Sequence, residues 1–151
     1  MLEFVSFIMP RLFRGALLTL VTLLLAVTSS WSYAAVAVIG HEGLEAMDKT
    51  VVSRVFTGRT VEVGGRTVLP VNLKAGDKTR GLFFRAVLQQ SDDDYVAYWI
   101  VRRAIGKGIP PVEVSTAQAM IDFVRSTPGA IGYVDANQLA PGVKVMLVIQ
   151  D

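Results

Sequence analysis

The ten residues S-T-P-G-A-I-G-Y-V-D, from Ser126 to Asp135, indicate a joint between a helix and a buried strand. Pro128 and Gly129 end the helix, because proline cannot donate to the helical hydrogen-bond ladder and glycine readily adopts the left-handed exit conformation. Residues 130–134 then form a short apolar run of strand length. Gly132 in that run marks a place where another backbone or a ligand comes close. The stretch therefore predicts a helix that leads directly into a buried strand.

Strand-like and helix-like patterns alternate along the rest of the chain. Residues 35–40, A-V-A-V-I-G, are a continuous apolar run suited to a strand covered on both faces, and residues 143–149 also predict a strand. Helices are predicted for residues 44–56, 77–90 and 115–126, and a further helix begins at Ser91 with the capping pattern Ser91-x-x-Asp94. This alternation predicts an α/β domain with a mainly parallel sheet flanked by helices.

A β-hairpin is predicted between the first two helices. Residues 61–63 and 67–69 are rich in β-branched residues and flank Gly64-Gly65, a signal for a tight turn. Pro70 has no N–H to donate, so the second run is predicted to be an edge strand or to break there.

The first 34 residues have the parts of a secretory signal peptide. Arg11 and Arg14 precede an apolar core at residues 16–27, and small residues follow at Ser32 and Ala34. Cleavage would leave one domain, residues 35–151, in the periplasm. The alternative is an uncleaved membrane anchor, because residues 12–27 fall only slightly short of the roughly 20 that a spanning helix needs. The chain has no cysteine, which fits a bacterial periplasm better than a small secreted domain framed by disulfides.

Composition argues against several classes of function. The chain carries a formal net charge of +2 and has no basic run interleaved with aromatic residues, so nucleic-acid binding is not expected. His41 is the only histidine, and no serine lies in a nucleophile-elbow motif. Residues 92–94 are three aspartates at a predicted helix start, where the helix dipole accounts for them. We expect no catalytic residues, no metal site and no cofactor.

The sequence pattern predicts ordinary structural roles for two further groups of side chains. Tyr95, Tyr98 and Trp99 have the spacing of one helical side, which is typical of core residues. The cations are expected to form a solvated basic face on two neighbouring helices, with a surface for a protein partner as the alternative. They are Arg80, Arg85, Arg102, Arg103 and Lys107.

In their order along the chain, these pieces resemble the second lobe of the periplasmic phosphate-binding proteins of ABC transporters, which have the type II solute-binding fold. The matching segments are A-V-A-V-I (35–39), V-F-T-G-R (55–59), V-L-P-V-N (68–72), G-D-K-T-R (76–80), Tyr98-Trp99 and P-G-A-I-G-Y-V (128–134). The resemblance implies a single lobe of that fold, in which residues 128–134 deliver the chain from a peripheral helix into the sheet. A full binding protein closes two lobes on its solute, and this chain has room for one.

The candidate ligand site is the loop that opens the helix at residues 77–90. It consists of Gly76, Asp77, Lys78, Thr79 and Arg80. A glycine-containing turn leading into a helix exposes backbone N–H groups that suit an anion, and an ordinary capped helix start is the alternative.

Two more residues are candidate ligand contacts. Asn72 stands where the resemblance places an arginine that often grips phosphate. His41 follows a strand end, where α/β proteins tend to bind ligands, and a surface or capping histidine is the alternative.

Departures from the family motif predict that phosphate is not bound tightly by this chain alone. Asp77 stands where the family has serine, and its carboxylate is expected to accept the N–H groups of Thr79 or Arg80 and to repel an anion. Lys78 replaces the glycine that lets phosphate approach the backbone. Two functions remain open. The chain is an accessory or interaction module with an envelope protein partner, or a component of an ABC transporter that binds phosphate or another small anion. Membrane contact is expected only through an uncleaved signal segment.

Overall fold

The computed structural model describes residues 35–150, which belong to one compact unit. In chain order the elements are β1 (Ala35–Gly40), α1 (Lys49–Phe56), β2 (Glu62–Val63), β3 (Arg66–Thr67), β4 (Leu69–Leu73), α2 (Lys78–Phe83), α3 (Asp92–Ala104), β5 (Val112–Val114), α4 (Ala117–Ser126), β6 (Ala130–Asp135) and β7 (Lys144–Gln150). The signal segment predicted for residues 1–34 lies outside the described residues. Within residues 35–150, no helix has the length and apolar character needed to cross a membrane.

The main sheet has five strands in the spatial order β5-β4-β6-β1-β7. β4 pairs in parallel with β5 and β6, whereas β1 pairs antiparallel with β6 and β7. Four of the five strands therefore run in one direction and β1 runs against them. The predicted fold class, an α/β domain with a mainly parallel sheet flanked by helices, is confirmed. β1 is buried along nearly its whole length, as its unbroken apolar sequence predicts.

The predicted hairpin is confirmed, with shorter strands. Glu62 pairs with Thr67 across a turn in which Gly64 and Gly65 have φ angles of 58° and 73°. Positive values at both positions are typical of the tight turns that match the twist of a hairpin. The chain then enters β4, an interior strand, so the edge-strand prediction for Pro70 is wrong. Proline is tolerated because β5 pairs with β4 only from Val71 onward.

The first helix begins five residues later than predicted, at Lys49 instead of residue 44. Asp48 caps it, and its side chain accepts the N–H of Val51 at 2.8 Å. Leu44 and Met47 are buried nonetheless, in the turn that precedes the helix. Their helix-like spacing therefore reflected burial in a turn, and the capping aspartate marked the true start.

The helix predicted for residues 77–90 changes its winding partway. α2 ends at Phe83 and continues as a π-helical turn over Phe84–Leu88. The wider turn buries Phe83 and Phe84 together: Phe83 stacks on Tyr133 with ring centroids 4.0 Å apart, and Phe84 lies 4.4 Å from the ring of Tyr95. Val87 is also buried, whereas Leu82 and Ala86 are only half-buried.

The joint at residues 126–135 is as predicted, and the structure explains its glycines. α4 ends at Ser126, Gly129 has a φ of 83°, and a side chain there would collide with the backbone carbonyl of Thr67. At Gly132 the close neighbour is the side chain of Met120, neither backbone nor ligand. The joint therefore packs α4 and the hairpin against β6. The three-residue strand β5 follows directly after Pro110-Pro111 and was not predicted from the sequence.

Candidate functional site

The candidate loop lies where β4 ends and α2 begins. Asp77 is the N-cap of α2, and its Oδ1 accepts the N–H of Thr79 at 2.8 Å and that of Arg80 at 3.3 Å. The N–H of Gly76 points to Oδ2 of Asp92 at 3.4 Å. Backbone groups that an anion would need at this helix start are therefore already hydrogen-bonded to carboxylates of the chain itself.

Arg80 does not belong to a solvated basic face, so that part of the prediction is wrong. Its side chain points inward and is 1% exposed. Nε donates to Oδ1 of Asp92 at 2.8 Å, and Nη1 donates to the carbonyl of Leu73 at 2.6 Å and to Glu113. The guanidinium also lies 4.7 Å from the ring centroid of Phe84. Arg80 is the third residue of α2, and this position turns its side chain toward the sheet, where the carbonyl of Leu73 and two carboxylates accept its hydrogen bonds.

Arg80 stays charged in this environment. Burial alone would lower the pKa of Arg80, but the hydrogen bonds to Glu113 and Asp92 outweigh it, and the pKa is raised. The carboxylate side chains of Asp92 and Glu113 are 33% and 48% exposed, so the ion pairs reach from the interior to solvent. With two carboxylates on one guanidinium, Arg80 has no surplus positive charge to offer an anion.

Asn72 is part of a buried hydrogen-bond network. Its Nδ2 donates to the hydroxyl of Tyr95 at 3.3 Å, and its Oδ1 accepts from the hydroxyl of Tyr133 at 3.2 Å. Tyr95 in turn donates to the carbonyl of Phe56 at 2.7 Å. Burial raises the pKa of Tyr95 to about 12 and raises that of Tyr133 further, so both hydroxyls remain protonated donors at neutral pH. In this position Asn72 joins β4 to α3 and β6.

His41 lies far from the candidate loop. It follows β1, which runs antiparallel to its neighbours. The carboxyl end of β1 therefore lies beside the start of β6, at the opposite end of the strands from the loop that follows β4. The N–H of His41 donates to the carbonyl of Ala130, and Nδ1 accepts the N–H of Gly43 at 3.1 Å. The histidine shapes a surface turn. Its separation from Gly76 could not be foreseen while β1 was assumed to be parallel.

Three residues of the loop, Gly76, Asp77 and Lys78, border an open depression of about 560 Å³. Lys78 is exposed and Thr79 is half-buried. The residues that line the depression are Gly76, Asp77, Lys78, Gly81, Leu82, Arg85, Gln90, Ser91 and Asp92. In the described part of the chain, no cluster of three or more histidine, aspartate or glutamate side chains could hold a metal ion.

Sequence reasoning missed two residues of this site, Asp92 and Glu113. Asp92 was assigned to the helix dipole, and Glu113 lies in the short strand that was not predicted. They lie 12 and 33 residues from Arg80 along the chain, and the pairing of β5 with β4 brings Glu113 close to it. The aspartate run gave a weak signal for Asp92, but no sequence pattern pointed to Glu113.

Solved structures with this fold include two proteins of phosphate transport and a protein named PstS. One is a candidate phosphate ABC transporter substrate-binding protein with bound phosphate from Clostridium perfringens, with 15% identity and a TM-score of 0.59. An ABC-type phosphate transport receptor from Vibrio cholerae has 16% identity and a TM-score of 0.58, and PstS from Borrelia burgdorferi has 12% and 0.55. No protein-family model and no curated protein matches the sequence.

These matches cover 75%, 76% and 76% of this chain but only 44%, 46% and 47% of the three proteins. The chain thus spans less than half of their length. The predicted resemblance to one lobe of a phosphate-binding protein is confirmed at the level of the fold.

Proposed function

We propose that this protein is an exported, non-enzymatic lobe of the solute-binding fold that serves as an interaction or accessory module of the periplasm. In this proposal it does not bind phosphate tightly by itself. The observation that carries the proposal is the position of Asp77, whose carboxylate accepts the first N–H groups of α2.

Charge supports the same conclusion. An anion at this helix start would displace a carboxylate that is already hydrogen-bonded there, or share the spot with it at the cost of like-charge repulsion. Arg80, the nearest buried cation, is paired with Asp92 and Glu113. One lobe also covers only one side of an anion, and a charge pair open to water is worth about 1 kcal/mol or less.

Titration calorimetry with inorganic phosphate tests the proposal. We expect no binding at micromolar concentration by the unmodified protein. We expect measurable binding after Asp77→Ser with Lys78→Gly, because the pair of changes removes the negative charge from the helix start and lets an anion approach the backbone.

The chain offers a matched control for this pair of substitutions. Asp48 and Lys49 open α1 with the same cap and the same following residue, since Asp48 accepts the N–H of Val51. Asp48→Ser with Lys49→Gly should leave phosphate binding unchanged. Micromolar affinity in the unmodified protein would refute the proposal.

The alternative function is a phosphate- or anion-binding component linked to an ABC transporter. The structures from Clostridium perfringens and Vibrio cholerae favour it, because their descriptions place them in phosphate transport. A missing lobe supplied by a partner would complete the cleft. A rise in melting temperature with phosphate that occurs only when an envelope protein co-purifies would favour this alternative.

Export is the remaining part of the proposal. Cleavage after Ala34 would make Ala35, the first residue of β1, the new N-terminus. Intact-mass measurement of the exported protein tests this, and a mass that includes residues 1–34 would indicate an anchored protein instead.

A further inference from the structure

The outer face of α3 carries apolar side chains that nothing in the described chain covers. Tyr95 and Trp99 fill the inner face of this helix and are buried. On the outer face Val96 is 48% exposed and Ile100 is 64% exposed. Residues three and four apart share one side of a helix, so Val96 and Ile100 belong to one stripe. Ala97 and Ala104 border this stripe, both exposed, and their small side chains permit close approach of another helix.

Opposite charges lie at the two ends of the same stripe. Asp93 is in the first turn of α3 and Arg103 is in the last turn, and both are exposed. Neither takes part in an ion pair among residues 35–150. Along the stripe, the acidic Asp93 is followed by the apolar Val96 and Ile100 and then by the basic Arg103.

This order is self-complementary about the level of Tyr98. Val96 and Ile100 lie equally far on either side of position 98, and so do Asp93 and Arg103. A two-fold axis through that level would set Val96 of one copy against Ile100 of the other, and Asp93 against Arg103, each pair occurring twice. The helix dipoles would also oppose each other favourably.

We propose that a second copy of this chain packs on α3, antiparallel and about a two-fold axis at Tyr98. The stripe also forms one wall of a cavity of about 180 Å³ whose lining includes Pro110 and Pro111, so the apolar surface continues onto that loop. The charges and apolar residues of the stripe are complementary to a second, antiparallel copy of the same stripe. Binding of a partner of unrelated sequence would not require this self-complementarity. The proposal is independent of whether the α2 site binds an anion.

Charge reversal tests this arrangement in the full chain. Asp93→Arg places arginine against Arg103 in both pairs, and Arg103→Asp places aspartate against Asp93. Each single variant should therefore dimerise about tenfold more weakly than the unmodified protein, since both rim pairs turn repulsive. The double variant Asp93→Arg with Arg103→Asp restores both pairs and should dimerise as the unmodified protein does.

Mixing the two single variants gives the sharper result. One chain then carries arginine at both positions and the other carries aspartate at both, so the two should form a heterodimer in preference to either homodimer. Light scattering after size exclusion, with one variant tagged, measures this. Association through residues 1–34 would be equal in all variants and could not produce the preference.

Ile100→Glu should also weaken dimerisation by about tenfold or more, because it buries a charge in the apolar centre of the interface. Val148→Glu is the matched control: Val148 is 52% exposed on β7, at the opposite edge of the sheet from β5, and this change should leave dimerisation unchanged. A monomeric unmodified protein, or single variants that show no preference for each other when mixed, would overturn the proposal.

Discussion

Removing the two carboxylates that hold Arg80 should destabilise the protein more than removing Arg80 itself. Arg80 is 1% exposed, whereas the side chains of Asp92 and Glu113 are 33% and 48% exposed. If the arginine is replaced, the carboxylates can turn to water. If the carboxylates are replaced by amides, the guanidinium remains buried with only neutral oxygens, such as the carbonyl of Leu73, to accept its hydrogen bonds.

The magnitudes follow from this difference in burial. Arg80→Met keeps most of the side-chain volume but leaves the Leu73 carbonyl without its donor, a loss of about 1–3 kcal/mol. Asp92→Asn with Glu113→Gln keeps the shapes but leaves a buried charge uncompensated, at a cost of about 3–5 kcal/mol. Adding Arg80→Met to that double variant removes the buried charge, so the triple variant should be more stable than the double.

Urea unfolding at neutral pH, followed by circular dichroism, measures the free energy of unfolding of all four proteins. The decisive quantity is the sign of the difference between the triple and the double variant. A double variant as stable as the unmodified protein, or more stable than the triple, would show that the buried charge does not control stability here.

Gly129→Ala should lower the free energy of unfolding by more than Gly76→Ala: both glycines have left-handed φ angles of 83° and 81°, but only at Gly129 would a side chain meet a backbone carbonyl. Equal losses in urea unfolding would contradict this. Burial raises the pKa of Tyr95 from 10.0 to about 12, so the stability that is present below the unfolded-state pKa is lost as the pH rises toward the folded-state pKa. The free energy of unfolding should therefore fall by about 1.4 kcal/mol per pH unit for each buried tyrosine between pH 10 and 12. Tyr95→Phe should make this decrease with pH less steep. Replacing Gly64 and Gly65 by valine should lower the melting temperature, since both have positive φ angles, and an unchanged value would count against the strain argument.

By itself the sequence determined the features that depend on neighbours along the chain. The capping box of Ser91 and Asp94, the hairpin turn at Gly64-Gly65 and the cap at Asp77 involve groups at most a few residues apart, and all occur as predicted. Burial is equally local when a strand is apolar throughout, as at residues 35–40.

Only the tertiary structure decided the direction of β1 and the surroundings of Arg80. The apolar run of β1 suits a parallel or an antiparallel neighbour equally well, so its pattern could not show that His41 lies away from the α2 loop. The partners of Arg80 come from the start of α3 and from β5, and no local pattern links them to α2. A charged side chain is stable in the interior only where distant segments bring opposite charges and a carbonyl to it, and the packing of the whole sheet determines which segments do so.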